Sequence, residues 1–338
     1  MRKRFHGAIA ILLLTGQVIN TAALAALNMP PLDLSKRKHT SDFSARKNHP
    51  STYEESPKFL GPLTLSATEF TSDNRTRIKH YLGESVPSEK PKALAPTSST
   101  NKILSTIIDQ FAYNDAPIDV KEMAESIEFY LRTRKRLLGS AKKRHAKNIR
   151  IAKQTDQKIE DGDEIANVEV FDFCCGHGLT AMLFTACNPP QKDRIVTTHL
   201  VDIKQPPSHQ VLRDLITEVC PWVDDLVNYH ESDIDSFTPP TSGKIPITIA
   251  THACGSLTDQ VLEAAVKNSS SFIALMPCCY TGTDNGMPYG IKRAMGVAWT
   301  ADIKRVLELE SHGYHTDFST IPKEITPLNR IIIAEDRS

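Results

Sequence analysis

The 338-residue chain has no net charge, because 40 acidic and 40 basic side chains cancel; overall charge points to no partner, and only local clusters can inform on one. It lacks an apolar run long enough to cross a membrane. The N-terminal stretch is interrupted by Gln17 and Asn20, short of the roughly 20 apolar residues that a span needs, so no stable span is expected in the mature chain. Its seven cysteines show no Cys-x-x-Cys spacing, the signature of many zinc and iron–sulfur sites, and no metal is assigned from the sequence. No internal repeat is visible, and at this length a proper core needs no disulfide scaffold.

What is present at the N-terminus reads as an address. Arg2, Lys3 and Arg4 precede an apolar run centred on Ala8 to Leu14, then Ala23-Leu24-Ala25, the pattern of a cleaved targeting segment over residues 1–26. The odd cysteine count argues against paired disulfides, and Cys174-Cys175 and Cys278-Cys279 are adjacent pairs, a poor arrangement for structural bridges. A reducing compartment fits better. Delivery to an organelle reconciles the two signs, with the basic, serine-containing stretch after Pro30 as a second address.

Residues 27–100 are rich in Pro, Ser, Thr and Lys without a sustained apolar period, which predicts a disordered linker. Residues 101–160 read as a helical, basic extension. Ile103, Leu104, Ile107, Ile108 and Phe111 recur at helical spacing, as do Val120, Met123, Ala124, Ile127 and Leu131, with Asp119 and Glu122 as a capping box. These helices are expected to cap the domain that follows. From Arg132 to Lys153 basic residues accumulate, with no acid between Glu128 and Asp156. That is a candidate RNA phosphate surface through counterion release, or a solvated helix face.

From Ile165 to the end, short apolar runs alternate with helical patterns. The candidate strands are Val168 to Phe173, Ile195 to Val201, Leu226 to His230, Ile245 to Thr251, Ser271 to Met276 and Arg330 to Ala334. This is the grammar of an α/β domain with a mostly parallel, doubly wound, Rossmann-like sheet over residues 165–338, whose ligands sit at the carboxyl ends of the strands.

The first strand ends in Asp172-Phe-Cys-Cys-Gly-His-Gly178 before an apolar helix. Gly176 and Gly178 permit a tight turn and close backbone approach to a nucleotide-type ligand. Asp202 ends the next strand, 24 residues after Gly178, where an acid can accept the ribose hydroxyls. Asp233 follows the third strand and can accept from an adenine amino group. Each acid alone is more simply a helix cap or turn; three at successive strand ends, with a glycine turn, read as adenosyl binding.

This layout resembles the class I S-adenosylmethionine-dependent methyltransferases. The resemblance covers roughly the last half of the chain, with Cys174 standing where the common motif has its first glycine. Further on, His252-Ala-Cys-Gly-Ser-Leu-Thr-Asp259 and Met276-Pro-Cys-Cys-Tyr280 are similar to the subgroup that contains tRNA ribose 2′-O-methyltransferases of the acceptor stem. The same subgroup includes a methyltransferase domain found beside glutathione-transferase-like modules. The resemblance implies S-adenosyl-L-methionine as cofactor, held by Asp172, Cys174, Gly176, Gly178, Asp202, Asp233 and His252, and an RNA acceptor of tRNA type.

Strands one, four and five are neighbours in such a fold, which would bring Cys174, Cys175, His177, His252, Cys254, Cys278 and Cys279 to one mouth. They are buried packing groups, metal ligands or active-site groups. His252 is the candidate general base on a hydroxyl acceptor, or else a satisfied core histidine; Asp259 is assigned with it, capping or orienting a helix. Gly282 to Gly296 reads as a mobile loop over the acceptor site, with Lys292 and Arg293 available to an anion. The alternatives are a protein or small-molecule acceptor, or a non-catalytic adenosyl-fold module. The last is motivated by Cys174 and by the absence of an Asp/Asn-Pro-Pro-Tyr motif.

Overall fold

A computed structural model of the protein describes residues 76–155, 166–191, 194–240, 244–280 and 286–337. The targeting segment, most of the linker, and residues 281–285 of the proposed loop lie outside the described residues.

The domain is built on a seven-stranded sheet. Its strands are β1 (Ala166–Phe173), β2 (Arg194–Asp202), β3 (Val227–Glu231), β4 (Ile245–Ala250), β5 (Phe272–Leu275), β6 (Tyr314–Thr320) and β7 (Arg330–Asp336). They lie in the order β3-β2-β1-β4-β5-β7-β6. The first five are parallel, and β7 runs antiparallel between β5 and β6. Along β1, Val168 and Val170 pack into one core and Phe171 and Phe173 into another, so the strand is buried on both faces, as a doubly wound sheet requires. The strand order reverses at β1, between β2 and β4, and this places the ligand crevice outside the carboxyl ends of those strands.

Helices α1 (Ile78–Leu82), α2 (Thr100–Tyr113) and α3 (Val120–Gln154) come before the sheet. α2 begins where Ser99 Oγ accepts the Lys102 N–H (3.3 Å), and α3 where Asp119 Oδ1 accepts the Glu122 N–H (2.8 Å), two N-terminal caps of the expected kind. One expectation is corrected here. Residues 76–99 do not continue the linker: Ile78 and Leu82 are buried in the main core, with Tyr81, Val86 and Leu94 packed against it. These apolar residues are too sparse to show a period, yet Ile78 and Leu82 are buried and the other three are partly buried. α3 packs on the domain over much of its length. Phe129, Tyr130, Leu137 and Leu138 lie within the main core, and Tyr130 meets Phe184 edge to face at 5.0 Å, so α3 is a layer of the sheet sandwich. Its 35 residues span about 52 Å at 1.5 Å per residue.

The other helices are α4 (Leu179–Ala186), α5 (Pro207–Val219), α6 (Leu257–Lys267), α7 (Tyr289–Met295) and α8 (Val297–Ser311). α7 occupies the second half of the segment expected to be a mobile loop; it buries no side chain. β6 was not foreseen, because only Tyr314 and Ser319 of its seven residues are buried.

Candidate active site

The turn after β1 is the centre of the mouth. Cys174, Gly176 and Gly178 all adopt positive φ, at 56°, 54° and 75°. For the two glycines this is free of steric cost, whereas the cysteine carries strain of order 1 kcal/mol or more. Cys174 thus holds the left-handed geometry of the glycine it replaces. A Cβ on Gly178 would lie 2.7 Å from Leu200 Cδ1 of β2, while a Cβ on Gly176 would meet nothing within 4 Å. Packing explains the first glycine; open space in front of the backbone explains the second.

Asp202 braces this turn. Its Oδ2 accepts the Gly176 N–H at 2.8 Å, and its Oδ1 accepts the Ile203 N–H at 2.8 Å. Tyr229 of β3, which the sequence did not single out, donates its hydroxyl to Gly176 O at 3.0 Å. His209 of α5 lies 3.0 Å by Nδ1 from His177 O. No local motif marks either residue; each reaches the turn after β1 from a separate element, Tyr229 from β3 and His209 from α5.

Asp172 is 1% exposed, and its Oδ1 has no hydrogen-bond partner among the described residues. Burial, reinforced by the Asp202 carboxylate and opposed by the Ala181 N–H, raises its carboxyl well above the usual range. A buried acceptor left unsatisfied costs roughly 1–3 kcal/mol, which a bound donor group would relieve. Burial first, then Asp202, Asp172, Cys254 and Asp233, push the Cys174 thiol up to about 12. Those groups therefore lie within electrostatic reach of Cys174. Asp233 itself is exposed and accepts the Asp235 N–H at 2.9 Å, an Asx turn after β3.

His252 stands slightly apart. It is half-buried after β4, and burial, then His177 and Lys121 against an opposing Glu122, pushes its imidazole down to about 4. It is neutral at physiological pH and mismatched as a proton acceptor there. His177 accepts the Leu179 N–H on Nδ1 at 3.2 Å and faces Glu122 of α3 through Nε2 at 3.5 Å, so the start of α3 forms a wall of the mouth.

Asp259 anchors the loop after β4. Its oxygens receive Arg305 Nε at 2.8 Å and Nη2 at 3.3 Å, and the same guanidinium donates to Gly255 O at 3.0 Å. Arg305, with no exposed surface, also reaches Asp302 at 3.3 Å, and Asp302 in turn holds Arg330 (2.7 Å) and the Tyr280 hydroxyl (2.7 Å). This network ties the ends of β4 and β5 to α8 and β7. The sequence offered little sign of it, because its members come from four separate segments.

Cys254, Cys278 and Cys279 converge too, their Sγ atoms all within 4.8 Å of one another. Sequence spacing had left them without a metal assignment; β4 and β5 are adjacent parallel strands, so the thiols following them meet across 24 residues of sequence. Cys187 and Cys220 are buried in the core, and no cysteine of the described residues is in a disulfide.

Residues 141–285 match the family model described as a methyltransferase domain. This chain carries an S-adenosylmethionine-dependent methyltransferase domain. No curated protein matches it. Among solved structures it is similar to the Synechocystis PCC 6803 magnesium protoporphyrin IX methyltransferase with bound SAH, at 9% identity over 49% of this chain and 73% of that one, TM-score 0.33. It is similar also to an rRNA methylase from Streptococcus thermophilus (10%, 52% and 89%, TM-score 0.32) and to the Methanococcus jannaschii fibrillarin pre-rRNA processing protein (12%, 54% and 70%, TM-score 0.34). The family match and the geometry of the mouth, not these distant likenesses, carry the conclusion.

The mouth fits the methyltransferase's cofactor. Asp172 offers an unpartnered buried acceptor, Gly176 leaves open space, and Asp202 and Asp233 add negative potential suited to a sulfonium. Among the described residues no helix is long and apolar enough to cross a membrane.

Proposed function

We propose that the methyltransferase acts on RNA. When bound, the cofactor supplies a methyl group on a sulfonium, already an excellent leaving group, so the protein's task is placement. Asp172, Gly176, Asp202 and Asp233 hold the donor end. His252 and Asp259 act by position: His252 as a neutral hydrogen-bonding group at the acceptor side, Asp259 by fixing Gly255 and the β4 loop through Arg305.

The observation that supports RNA is the far half of α3. Lys135, Lys142, Lys143, Lys147, Arg150 and Lys153 are all exposed, in a stretch of sequence without an acid, and clustered cations gain counterion-release free energy on a polyanion. Glu122 at the mouth and Lys147 are 25 residues apart on one helix, about 38 Å by helical rise. An acceptor touching both must be extended, as a folded RNA is and a metabolite is not.

A second reading has its own observation. Arg136 pairs with Asp317 at 2.5 Å and Arg144 with Asp336 at 3.1 Å, so part of the basic run serves the fold. That favours a protein or small-molecule acceptor. Labelled-methyl transfer from S-adenosylmethionine into separated RNA, protein and metabolite pools decides between them. The RNA reading expects label in RNA, reduced several-fold in a Lys143→Ala/Lys147→Ala variant that binds cofactor normally. Label in the other pools alone contradicts it.

A further inference from the structure

We propose that Cys254, Cys278 and Cys279 form a zinc site in the acceptor wall of the mouth. Zinc bound by thiolates at about 2.3 Å in tetrahedral geometry sets the sulfurs about 3.8 Å apart. The three Sγ atoms already lie within 4.8 Å of one another, so closure on the ion requires shifts of under about 1 Å, the order of a side-chain adjustment. Three soft thiolates select zinc over the hard cations magnesium and calcium, which take oxygen ligands.

The backbone presents these sulfurs from fixed positions. The Gly255 N–H donates to Cys279 O at 3.2 Å, joining the loop after β4 to the loop after β5, and the Leu257 N–H donates to Cys254 O at 3.1 Å. Arg305 holds Gly255 O from behind. The ligands therefore rest on a braced framework, the condition for a preorganised site. Solvent reaches Cys254, while Cys278 and Cys279 are half-buried, so the ion has a path of entry.

Three protein ligands leave the fourth tetrahedral position to water, the pattern of zinc sites that keep an open position. Cys254 lies within electrostatic reach of Cys174. The site is thus beside the cofactor carboxylates without sharing them. Its ion joins the ends of β4 and β5 and presents one exchangeable position to the mouth. The inference rests on the three thiols alone and holds whatever the methyl acceptor is.

The test is metal content of the full chain, purified in reductant without chelator, incubated with zinc and freed of excess by gel filtration. About one zinc per chain is expected, and cobalt in its place should give the intense sulfur-to-cobalt absorption of a tetrahedral thiolate complex. Cys254→Ser, at an exposed position, should weaken zinc affinity at least 100-fold, whereas Cys220→Ser, in the core, should retain the ion. If Cys278→Ser or Cys279→Ser fails to fold, the wild-type cobalt spectrum and Cys254→Ser still decide. Wild-type protein that is folded, reduced and free of zinc overturns the proposal, as does zinc retained at full affinity in Cys254→Ser.

Discussion

The two ends of α3 share one helix and do different work. At its start, Glu122 faces His177 and the Ser126 hydroxyl lies 3.0 Å from Thr180 Oγ1, so the helix forms part of the mouth. Toward its other end, Arg136 and Arg144 are paired with acids of β6 and β7 while lysines face solvent. The mouth thus lies at the carboxyl ends of the parallel strands and the basic surface toward the opposite side. The lesson is that a charge run in sequence says nothing of what each charge meets: different faces of the helix serve packing and solvent.

The largest expected effect breaks the mouth outright. Asp302→Ala leaves Arg305 and Arg330 without their buried carboxylate, and removing one partner of a buried ion pair costs about 3–5 kcal/mol; chemical denaturation checks it. Next, Asp172→Asn should act in opposite directions. It removes the buried carboxylate that Asp202 opposes, so the cofactor-free protein should gain stability. Cofactor affinity should fall at least tenfold. Thermal shift with and without S-adenosylmethionine reads both, and a loss of stability without cofactor contradicts this account of Asp172.

At the far end, Lys143→Ala/Lys147→Ala should leave stability and cofactor affinity unchanged while reducing the slope of log affinity for RNA against log salt by about 1 to 2. A change in cofactor affinity would erase the contrast between the two ends. The smallest effect concerns pH. His209 is buried, with no partner for its Nε2 among the described residues, and burial lowers its imidazole below 6.5, so the unfolded chain takes the proton first. Its contribution is complete above about 6.5 and is lost as pH falls toward the depressed value. His209→Gln should flatten the decline of Tm between pH 7 and 5.

The turn after β1 and its neighbour at the end of β2 were legible because their signals are local: Asp172, the glycine turn and Asp202 each stand at the end of an apolar strand, where topology alone brings them together. Five of the seven strands follow from the same alternation, each to within a residue or two. The sixth is β7, recognisable from Arg330 to Ala334. The acceptor half was less legible. Arg305 reads as one charge on an amphipathic helix, and only folding reveals that Asp259, Asp302 and Gly255 O surround it. The thiols of Cys254 and the Cys278-Cys279 pair have no metal-ligand spacing, and their convergence was expected only from the neighbouring strands of such a fold. Their meeting depends on the adjacency of β4 and β5. Ile78 and Leu82 were misread with the linker because two apolar residues make no period.

The measurement that tests the central claim most directly is calorimetric titration of S-adenosylmethionine into the wild-type chain and into Asp202→Ala. One cofactor bound per chain at micromolar affinity, lost at least 100-fold in the variant, is the predicted result. A folded wild-type protein that binds no S-adenosylmethionine, or a variant that binds it as tightly as the wild type, would contradict the account.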